Sequence, residues 1–458
     1  MIKLKVYLTI LVSVLILSQC SFDTKTKIWK NAANDNQFSI SNDRVKQLID
    51  LNPSDDNFDQ KIEFKDQIQI NNLESQKNIK WINQYLNSSN HIPNLFYNSG
   101  QTILSKSKKL SNLNKTEILR LNYKIPFLLL NDDKLVSYDN KGTIFIYSLN
   151  EKKKIFKYNF YHKSYKKYFK ILNFTISEDN ILVVTDNLGF VYAIDLNKYQ
   201  IIWAKNIGIP LRSNVLIEKS QIFFSDENNN LYSISAINGE NNWKLATTSS
   251  SLSSEFKNSL TINSDTNTLF FLTTSGEFYA LNYEIKQIKW VINFKNPSNK
   301  LDIFYSTDPV VFKNQLFLSK DNNFISVEND TGRVLWSKNI KAKIVPKFTN
   351  QTVNIYTDSG NLVSLDYNNG NVIWSKKIFD DINDEFNITQ KKVGEINDIL
   401  ILNGSIIMFS NKGYMIEYDT KGNIKKLSKI VKNIFSNIIV LDGNLFFLDK
   451  NIRLIKLS

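Results

Sequence analysis

The sequence predicts an all-β protein, a β-propeller of eight blades with four antiparallel strands in each blade. The first observation behind this prediction is that tryptophans recur at similar spacings, each 14 residues after a residue typical of tight turns. A fixed offset within a period of about 45 residues indicates one supersecondary unit that is repeated along the chain. Five pairs share the offset: Gly189 and Trp203, Asn229 and Trp243, Gly276 and Trp290, Asn322 and Trp336, and Gly360 and Trp374.

The second observation is the pattern within each unit. Residues 181–195 form the clearest copy, with an apolar run, a turn that ends in Gly189, and an alternating run. Runs of β-branched and aromatic residues between turn residues are typical of strands joined by tight hairpins. Glycine or asparagine recurs at the turn because that position is expected to need a positive φ. A second turn, before the tryptophan, carries Gly239, Gly332 or Gly370 in three of the units.

Weaker copies extend the series to eight. Gly142 and Phe156 form one, Gly413 and Leu427 form another, and a last half-copy places Lys450 at the turn. The mean step is then about 44 residues, which fits the four short strands of a propeller blade. The tryptophans are interpreted as core residues, because a large ring at the same place in each unit packs between neighbouring sheets.

The eighth blade lacks an outer strand, because the chain ends before the tryptophan position. A closed propeller must fill this gap or leave a sheet edge open. We predict that residues 78–85, which carry Trp81, supply the outer strand of blade eight and close the ring from the N-terminal side. Trp29 is the competing candidate, but it stands close to the N-terminal apolar segment.

Residues 1–20 differ from the rest of the chain. Lys3 and Lys5 precede a mostly apolar run over residues 6–17, which is too short to span a bilayer and is typical of a secretory signal peptide. The single cysteine, Cys20, falls at the expected cleavage position. This arrangement resembles the lipobox of bacterial lipoproteins, in which the cysteine thiol takes the diacylglycerol. The alternative is an ordinary cleaved signal with an incidental cysteine.

The remaining chain is expected to divide into two parts. Residues 21–76 are polar and rich in Asn, Asp and Lys, and they are predicted to form a tether with one short helix around residues 43–51. Residues 77–458 are predicted to form the propeller, since this length is ample for one large closed core.

The net charge of +13 is spread along the chain. The densest basic stretch joins residues 152–154 to residues 161–170, where lysines alternate with aromatic residues. We interpret it as an outer strand and an inter-blade loop with solvated lysines; the functional alternative is contact with anionic lipid or cell-wall polymer. Nucleic acid is not an expected partner, because an exported protein rarely meets it.

No catalytic, cofactor or metal site is predicted. One cysteine excludes an intrachain disulfide, and His91 and His162 stand in unrelated segments, which argues against a metal cluster. The chain has no Gly-x-Ser-x-Gly elbow, phosphate loop or His-x-x-Glu pattern. The acids that recur with the repeat are interpreted as caps of tight turns. They are Asp139, Asp186, Asp226 and Asp321.

The segment ending at Cys20, the polar arm, a closing N-terminal strand and eight blades without a quinone site together resemble the outer membrane protein assembly factor BamB family. The resemblance implies a non-enzymatic lipoprotein scaffold of the β-barrel assembly machine, anchored in the outer membrane of a Gram-negative bacterium and facing the periplasm. It also implies two kinds of partner, a POTRA domain of the barrel-forming subunit BamA and unfolded outer-membrane proteins.

The resemblance further implies a partner-binding site, since the family contact uses a Leu-Arg pair in an inter-blade loop. Leu211 and Arg212 match that pair, as an exposed apolar anchor and a charge-assisted donor. The alternative is a leucine at the start of a strand beside a solvated arginine. The family also uses acidic residues in the next inter-blade loop, and the only match in this sequence is Glu255. A separate insertion around residues 380–395 is predicted to project as an acidic loop and to form a second contact.

Two other functions stay open. The first is a periplasmic quinoprotein-like dehydrogenase that depends on pyrroloquinoline quinone (PQQ), because such enzymes use eight-bladed propellers with a similar repeat. They need a calcium ion with acidic and amide ligands and a catalytic Asp, and the sequence offers no acidic cluster outside the repeated turns. The second is a generic lipoprotein propeller that binds cell-wall polymer or another protein.

Overall fold

A computed structural model describes residues 58–65, 74–112, 127–131, 133–247, 257–294 and 306–458, together with the backbone of four short strands before residue 49. Eight sheets, each containing four antiparallel blade strands, form the predicted β-propeller. The predicted fold class is therefore confirmed.

The first four blades follow one another along the chain. Blade one consists of Leu128–Leu129, Lys134–Tyr138, Thr143–Ser148 and Lys153–Asn159. Blade two consists of Leu172–Ile176, Ile181–Asp186, Phe190–Asp195 and Gln200–Asn206. Blade three consists of Leu216–Glu218, Gln221–Ser225, Leu231–Ser235 and Asn241–Leu245. Blade four consists of Ser259–Asn263, Thr268–Leu272, Glu277–Asn282 and Gln287–Asn293.

The second half of the ring repeats the pattern until its last strand. Blade five consists of Val310–Phe312, Gln315–Lys320, Asn323–Glu328 and Val334–Lys338. Blade six consists of Lys347–Phe348, Thr352–Tyr356, Asn361–Asp366 and Val372–Lys377. Blade seven consists of Ile396–Leu402, Ser405–Ser410, Tyr414–Tyr418 and Ile424–Lys429. Blade eight consists of Ile439–Leu441, Asn444–Leu448, Leu454–Leu457 and, as its outer strand, Ile103–Lys106.

Helices are short and few in the described part of the chain. They are a 3-10 turn at Lys163–Tyr165 and α-helices at Ile378–Phe386 and Gln390–Val393. Because strands alternate in direction within a blade, the turns between second and third strands and the connections between blades lie on one face of the ring. We call this the loop face, and all three helices lie in its connections.

The ring is closed from the N-terminal side, but by a different strand from the one predicted. Ile103–Lys106 pairs antiparallel with Leu454–Leu457 and completes blade eight. Trp81 instead forms an isolated bridge with Leu129 on the inner strand of blade one, and its N–H donates to the Leu129 carbonyl at 2.9 Å. The prediction for Trp81 was wrong because the ring centre buries its large side chain to 2 % exposure, whereas an outer strand leaves one edge open.

Trp29, the competing candidate, does not close the ring either. It belongs to the strand Ile28–Trp29, which lies parallel to the outer strand of blade two through the pair Ala204 and Ile28.

Residues 74–100 fill the centre of the ring, and we call them the channel segment. Inner strands expose one edge of unpaired N–H and C=O groups to the centre, and buried groups of this kind need partners. The channel segment supplies them around the ring. Ile176 donates its N–H to Ile82, Ile262 to Ser88, Val311 to Ser89, Leu95 to Ile401, and Asp442 to Asn78, with N–O distances between 2.7 and 3.0 Å.

The repeated tryptophans lie between blades, as predicted, with at most 9 % of each side chain exposed. Four indole N–H groups donate across the gap to a carbonyl in the next blade at 2.8–2.9 Å: Trp203 to Ala236, Trp290 to Asn329, Trp336 to Tyr367, and Trp374 to Thr420. Each of these indole rings packs against the glycine of the second turn of the next blade. At Gly422, where φ is +82°, an added Cβ would stand 2.7 Å from the Trp374 ring. The tryptophan and the second-turn glycine therefore form one inter-blade contact.

The weak copy with Phe156 shows how this contact changes when both partners change. Tyr199 occupies the glycine position of blade two, with φ of +56°, and it faces Phe156 of blade one. The two rings stack with centroids 5.5 Å apart and an interplanar angle of 22°. A smaller ring thus faces a larger turn residue.

The first turn has the predicted positive φ at most positions, including Gly189 at +91° and Asn229 at +63°. In blade five the positive φ falls on Asp321 and not on Asn322, because strands that reach residues 320 and 323 leave a two-residue hairpin. In blade eight it falls on Ile452 and not on Lys450.

Parts of the polar arm run along outer edges of blades. Ile28–Trp29, Gln37–Phe38 and Lys46–Leu48 lie parallel to the outer strands of blades two, three and four, and Phe22–Asp23 pairs with Ile28–Trp29. The strand at Lys46–Leu48 replaces the helix expected around residues 43–51. Further along, Ile62 exchanges backbone hydrogen bonds of 3.0 and 2.9 Å with Ser375 on blade six.

Candidate functional site

The connection between blades two and three carries both residues of the predicted partner site. The Arg212 N–H donates to the Ser225 carbonyl at 3.0 Å, and the Arg212 carbonyl accepts from the Asn258 N–H at 2.7 Å. The loop is thereby attached to blade three and to the start of blade four. Backbone bonds on both sides give the Arg212 side chain a defined origin on the loop face.

Leu211 is not the exposed anchor that the sequence predicted. It is only 2 % exposed and packs with Trp203 and Val215 in the core between blades two and three. Its N–H donates to the Asp186 carbonyl at 3.2 Å, which turns the residue inwards. Leu211 forms an isolated β-bridge with Asp226 ahead of the strand Leu216–Glu218, so the alternative, a leucine at the start of a strand, does not describe its position either.

Arg212 remains accessible, with one third of its side chain exposed. Its Nη2 lies 3.6 Å from a carboxylate oxygen of Glu227, whose side chain is 28 % exposed. Glu227 is held in turn by its N–H, which donates to the Pro210 carbonyl at 2.9 Å. The pair presents adjacent charges of opposite sign, an arrangement that can bind a partner's carboxylate or ammonium group. Glu255, the acid predicted for the next loop, lies outside the described residues.

The predicted acidic loop is a helix, which corrects the second predicted contact. Ile378–Phe386 buries Ile378 and Ile382 and exposes three acids, so it is amphipathic and docked on the ring. Asn387, with φ of +54°, ends it, and the Asn387 N–H donates to the Asn383 carbonyl. The exposed acids are Asp380, Asp384 and Glu385. Alternation of apolar and acidic residues at helical spacing was the signal for this helix.

The acids of the predicted turn caps behave as expected at three positions. Asp186 accepts the Leu188 and Phe190 N–H groups at 2.9 and 2.8 Å, and burial raises its pKa to about 6. Asp139 and Asp226 cap their own turns in the same way. Asp321 instead lies 3.6 Å from Lys320. Asp139, Asp186 and Asp226 thus hold their own turns.

The ring centre, where an axial ligand would bind, contains a buried carboxylate with several partners. Asp308 lies 3.1 Å from the Lys257 ammonium group and accepts hydroxyl groups of Ser259 at 2.5 Å and Tyr85 at 2.6 Å. Burial alone would raise its pKa, but Lys257 and the two hydroxyl groups outweigh burial and hold the pKa below its usual value. The carboxylate is therefore charged and internally neutralised.

A second acid near the centre is also engaged. Asp398 accepts the N–H groups of Ile399 at 3.0 Å and Ile438 at 2.8 Å. With Tyr85 and Asn90 of the channel segment inside the ring, these residues do not fit a calcium ion with a quinone. No group of three or more His, Cys, Asp or Glu residues suited to a metal ion occurs in the described ranges.

The channel segment is the feature that sequence reasoning missed. Asn90 donates its side-chain amide to the carbonyls of Leu260 at 3.0 Å and Pro309 at 2.9 Å, and so joins blades four and five. The polar run at residues 87–90 was the available signal, because amide and hydroxyl groups can pair with the free backbone edges of inner strands. Cys20, the predicted lipidation site, lies outside the described residues. Among the residues that are described, no helix has the length and apolar composition of a membrane span.

Solved structures that match this chain include a BamB protein and two dehydrogenases. BamB from Moraxella catarrhalis is 13 % identical, with a TM-score of 0.58 over 78 % of this chain and 98 % of that one. A europium-containing methanol dehydrogenase is 10 % identical, with a TM-score of 0.58 over 82 % and 89 % of the two chains. A quinohemoprotein alcohol dehydrogenase from Comamonas testosteroni is 9 % identical, with a TM-score of 0.56 over 80 % and 76 %. Such low identities show the fold alone.

A family comparison goes further than the structural matches. No curated protein matches the sequence. The model of the family described as outer membrane protein assembly factor BamB matches residues 171–284 and 247–458, which together span more than half of the chain. The chain therefore belongs to the BamB family of propellers built from PQQ-type repeats.

Proposed function

We propose that this protein is a non-enzymatic scaffold of the machinery that inserts β-barrel proteins into the outer membrane. In this role it binds the POTRA region of a BamA-like subunit and assists unfolded outer-membrane proteins. A lipid on Cys20 anchors it to the outer membrane, where it faces the periplasm. The family match over residues 171–458 is the observation that carries the proposal.

The filled ring centre supports the scaffold over the quinoprotein alternative. Methanol and alcohol dehydrogenases share the fold. Here the channel segment bonds to the inner strands, and Asp308 is already neutralised by Lys257. A quinone bound in the ring centre would have to displace Tyr85, which is 9 % exposed. Titration with quinone and calcium tests this alternative, and tight stoichiometric binding would overturn the scaffold proposal.

Within the proposed partner site, Arg212 takes the role that the family resemblance implies for the Leu-Arg pair. Its guanidinium group is one third exposed and preoriented by Glu227, so a carboxylate of the partner could form a bidentate contact with it. Leu211 supports the loop from within the core and makes no direct contact in this proposal.

The proposed contact is tested by measuring the affinity of the full chain for an isolated POTRA region. Arg212→Ala should weaken binding at least tenfold, in line with the loss of a charged contact at the centre of an interface. Arg333→Ala is the matched control, because Arg333 is also paired with a glutamate but lies at a turn on the opposite face. Equal affinities for wild type and Arg212→Ala would show that the contact lies elsewhere.

The proposed anchor is tested separately. Cys20→Ala should abolish incorporation of a labelled fatty acid and release the protein from the membrane fraction. If the variant stays membrane-bound and labelled, Cys20 is not the lipidation site.

A further inference from the structure

The connection between blades one and two forms a basic surface on the loop face. Residues 160–171 contain four lysines and no acid. Besides the small Ser164, the exposed residues of this stretch are His162, Lys163, Lys166, Lys167 and Tyr168, and Tyr168 exposes 59 % of its surface. We call these five residues the basic patch.

A buried lysine holds the backbone of the basic patch. Lys170 is 1 % exposed, and its ammonium group donates to the carbonyls of Tyr165 at 2.8 Å and Tyr168 at 2.7 Å. The same group lies 5.0 Å from the centre of the Tyr161 ring, and Tyr161 donates its hydroxyl group to Asp186 at 2.5 Å. Burial of an ammonium group is costly unless several partners compensate it, so this anchoring is specific to the loop.

The exposed lysines of the basic patch are not neutralised within the described chain. Lys163, Lys166 and Lys167 form no ion pair with any described carboxylate, whereas many other surface lysines do, including Lys153 with Glu151 at 2.8 Å. Three like charges fixed on one short loop repel one another. A polyanionic surface would relieve this repulsion, and an exposed tyrosine between them suits a boundary between water and an apolar phase.

The N-terminal strands place Phe22 on the side of blade two that faces the loop face. Ile28–Trp29 runs parallel to the outer strand of blade two, and therefore towards the loop face. Phe22–Asp23 is antiparallel to it, with Phe22 opposite Trp29. Phe22 is thus the end of that strand nearer the loop face, and Cys20 stands two positions earlier in the sequence. The basic patch adjoins the same blade on the same face.

We propose that the basic patch binds the anionic headgroup surface of a phospholipid bilayer. The three lysines contact phosphate groups while Tyr168 enters the headgroup layer, so the protein lies with the loop face of blades one and two on the membrane. The inference rests on the proposed function only for the lipid anchor that brings this edge to the bilayer. Contact by the patch itself requires no lipidation.

Vesicle co-sedimentation of the full chain carrying Cys20→Ser tests the proposal. Binding is compared between neutral phosphatidylcholine vesicles and vesicles with about 30 mol % phosphatidylglycerol. Because the apolar N-terminal segment contributes to binding in both cases, the difference between the two partition coefficients measures the contribution of charge. Each lysine at an anionic surface is worth about fivefold in partitioning, so Lys163→Gln, Lys166→Gln and Lys167→Gln together should reduce the difference on the order of 100-fold. Tyr168→Ser should reduce it several-fold.

A matched triple variant controls for net charge. Lys391, Lys392 and Lys432 are exposed lysines on the same face in other inter-blade connections. Replacing them with glutamine removes the same charge and should leave the difference nearly unchanged. Equal losses in both triple variants, or no loss in either, would overturn the proposal.

Two further readouts separate related outcomes. If the patch variant loses binding to soluble dextran sulfate but keeps binding to anionic vesicles, the patch binds a soluble polyanion and the proposal is wrong. POTRA affinity is measured on the same variants. Vesicle binding that depends on the patch, together with a wild type that does not bind POTRA, would contradict the proposed function and leave this inference standing.

Discussion

The indole ring of Trp243 packs beside Lys286, at the turn position where other blades carry the glycine that receives a tryptophan. Lys286 has φ of +57° and contributes to a cavity of about 10 Å³ that is also lined by Trp243, Leu245, Leu281 and Ile288. The Trp243 N–H is buried without an acceptor, whereas four equivalent indoles each donate to a carbonyl. The contact between blades three and four is thus the incomplete one among these five.

We expect Lys286→Gly to stabilise the protein. Removing the side chain lets the indole settle on the turn and reach a carbonyl, which is worth about 1 kcal/mol for the hydrogen bond, and a glycine adopts the positive φ without strain. The free energy of unfolding in urea, followed by tryptophan fluorescence, measures the gain. Lys286→Ala is the control, because it keeps the Cβ beside the ring and should gain little. A stabilisation by alanine as large as that by glycine would contradict this explanation.

Gly422 and Gly404 allow the cost of crowding a tryptophan to be separated from the cost of backbone strain. Both have φ near +80°, but a Cβ at Gly422 would meet the Trp374 ring at 2.7 Å, while nothing lies within 4 Å at Gly404. Gly404→Ala should cost about 1 kcal/mol for the left-handed backbone. Gly422→Ala should cost about 1–3 kcal/mol more, because a packed ring must move. Equal losses in chemical denaturation would show that the contact between the blades adapts freely.

The arm at blade six is held partly by charge and should respond to its removal. Asp59 lies 3.0 Å from Lys377, and Glu63 pairs with Lys376, on either side of Ile62. Exposed ion pairs stabilise a contact only weakly, so Asp59→Asn with Glu63→Gln should speed tryptic cleavage after Lys61 only about two- to tenfold. The measurement is the rate of limited proteolysis of the folded protein. Asp265→Asn with Glu240→Gln changes the net charge equally and should leave the cleavage rate unaltered. If this control variant were cleaved equally fast, the ion pairs of Asp59 and Glu63 would not be what holds the arm.

His91 and Asp186 should give opposite dependences of stability on pH. Loss of solvation, and then the Lys347 charge, lower the pKa of His91 from 6.5 to about 4, so the folded state loses stability as pH falls from about 6.5 to 4. Burial raises the pKa of Asp186 from 3.8 to about 6, so its contribution is full below 3.8 and is lost as pH rises through 6. Each contributes at most about 3 kcal/mol across the window.

The two effects can be separated by substitution. In His91→Gln only Asp186 still titrates in this range. The stability of this variant should therefore rise relative to wild type as pH falls from 6 to 4. Asp186→Asn should steepen the loss over the same range. Urea unfolding at several pH values measures both slopes, and parallel curves for the two variants would show that neither group titrates as described.

Much of the propeller could be predicted because its signals are local. A hairpin needs a turn residue with positive φ, and each blade needs one large ring at the same height, so both appear at fixed offsets such as that from Gly189 to Trp203. These offsets predicted eight blades and the caps formed by Asp186 and Asp226. In blade five the hairpin is shorter. The 14-residue offset from Asn322 to Trp336 is kept there, but the positive φ lies on Asp321.

The candidate sites depended on residues outside the repeat. Leu211 was predicted to be exposed, but this leucine of the inter-blade connection turns towards the apolar side chains beside it, here Trp203 and Val215. The acidic insertion after blade six became a helix because Ile378 and Ile382 find a surface to cover. Sequence spacing contains no information about that surface.

The sequence by itself determined the number of blades, the turns and the tryptophans between the blades, because these follow from short-range geometry repeated along the chain. Only the tertiary structure decided which N-terminal segments close the ring and fill its centre. Trp81 and Ile103–Lys106 both pair with strand edges, and their places depend on edges formed by blades far away in sequence. Pairing with a distant edge is a property of the assembled ring and leaves no periodic trace in the chain.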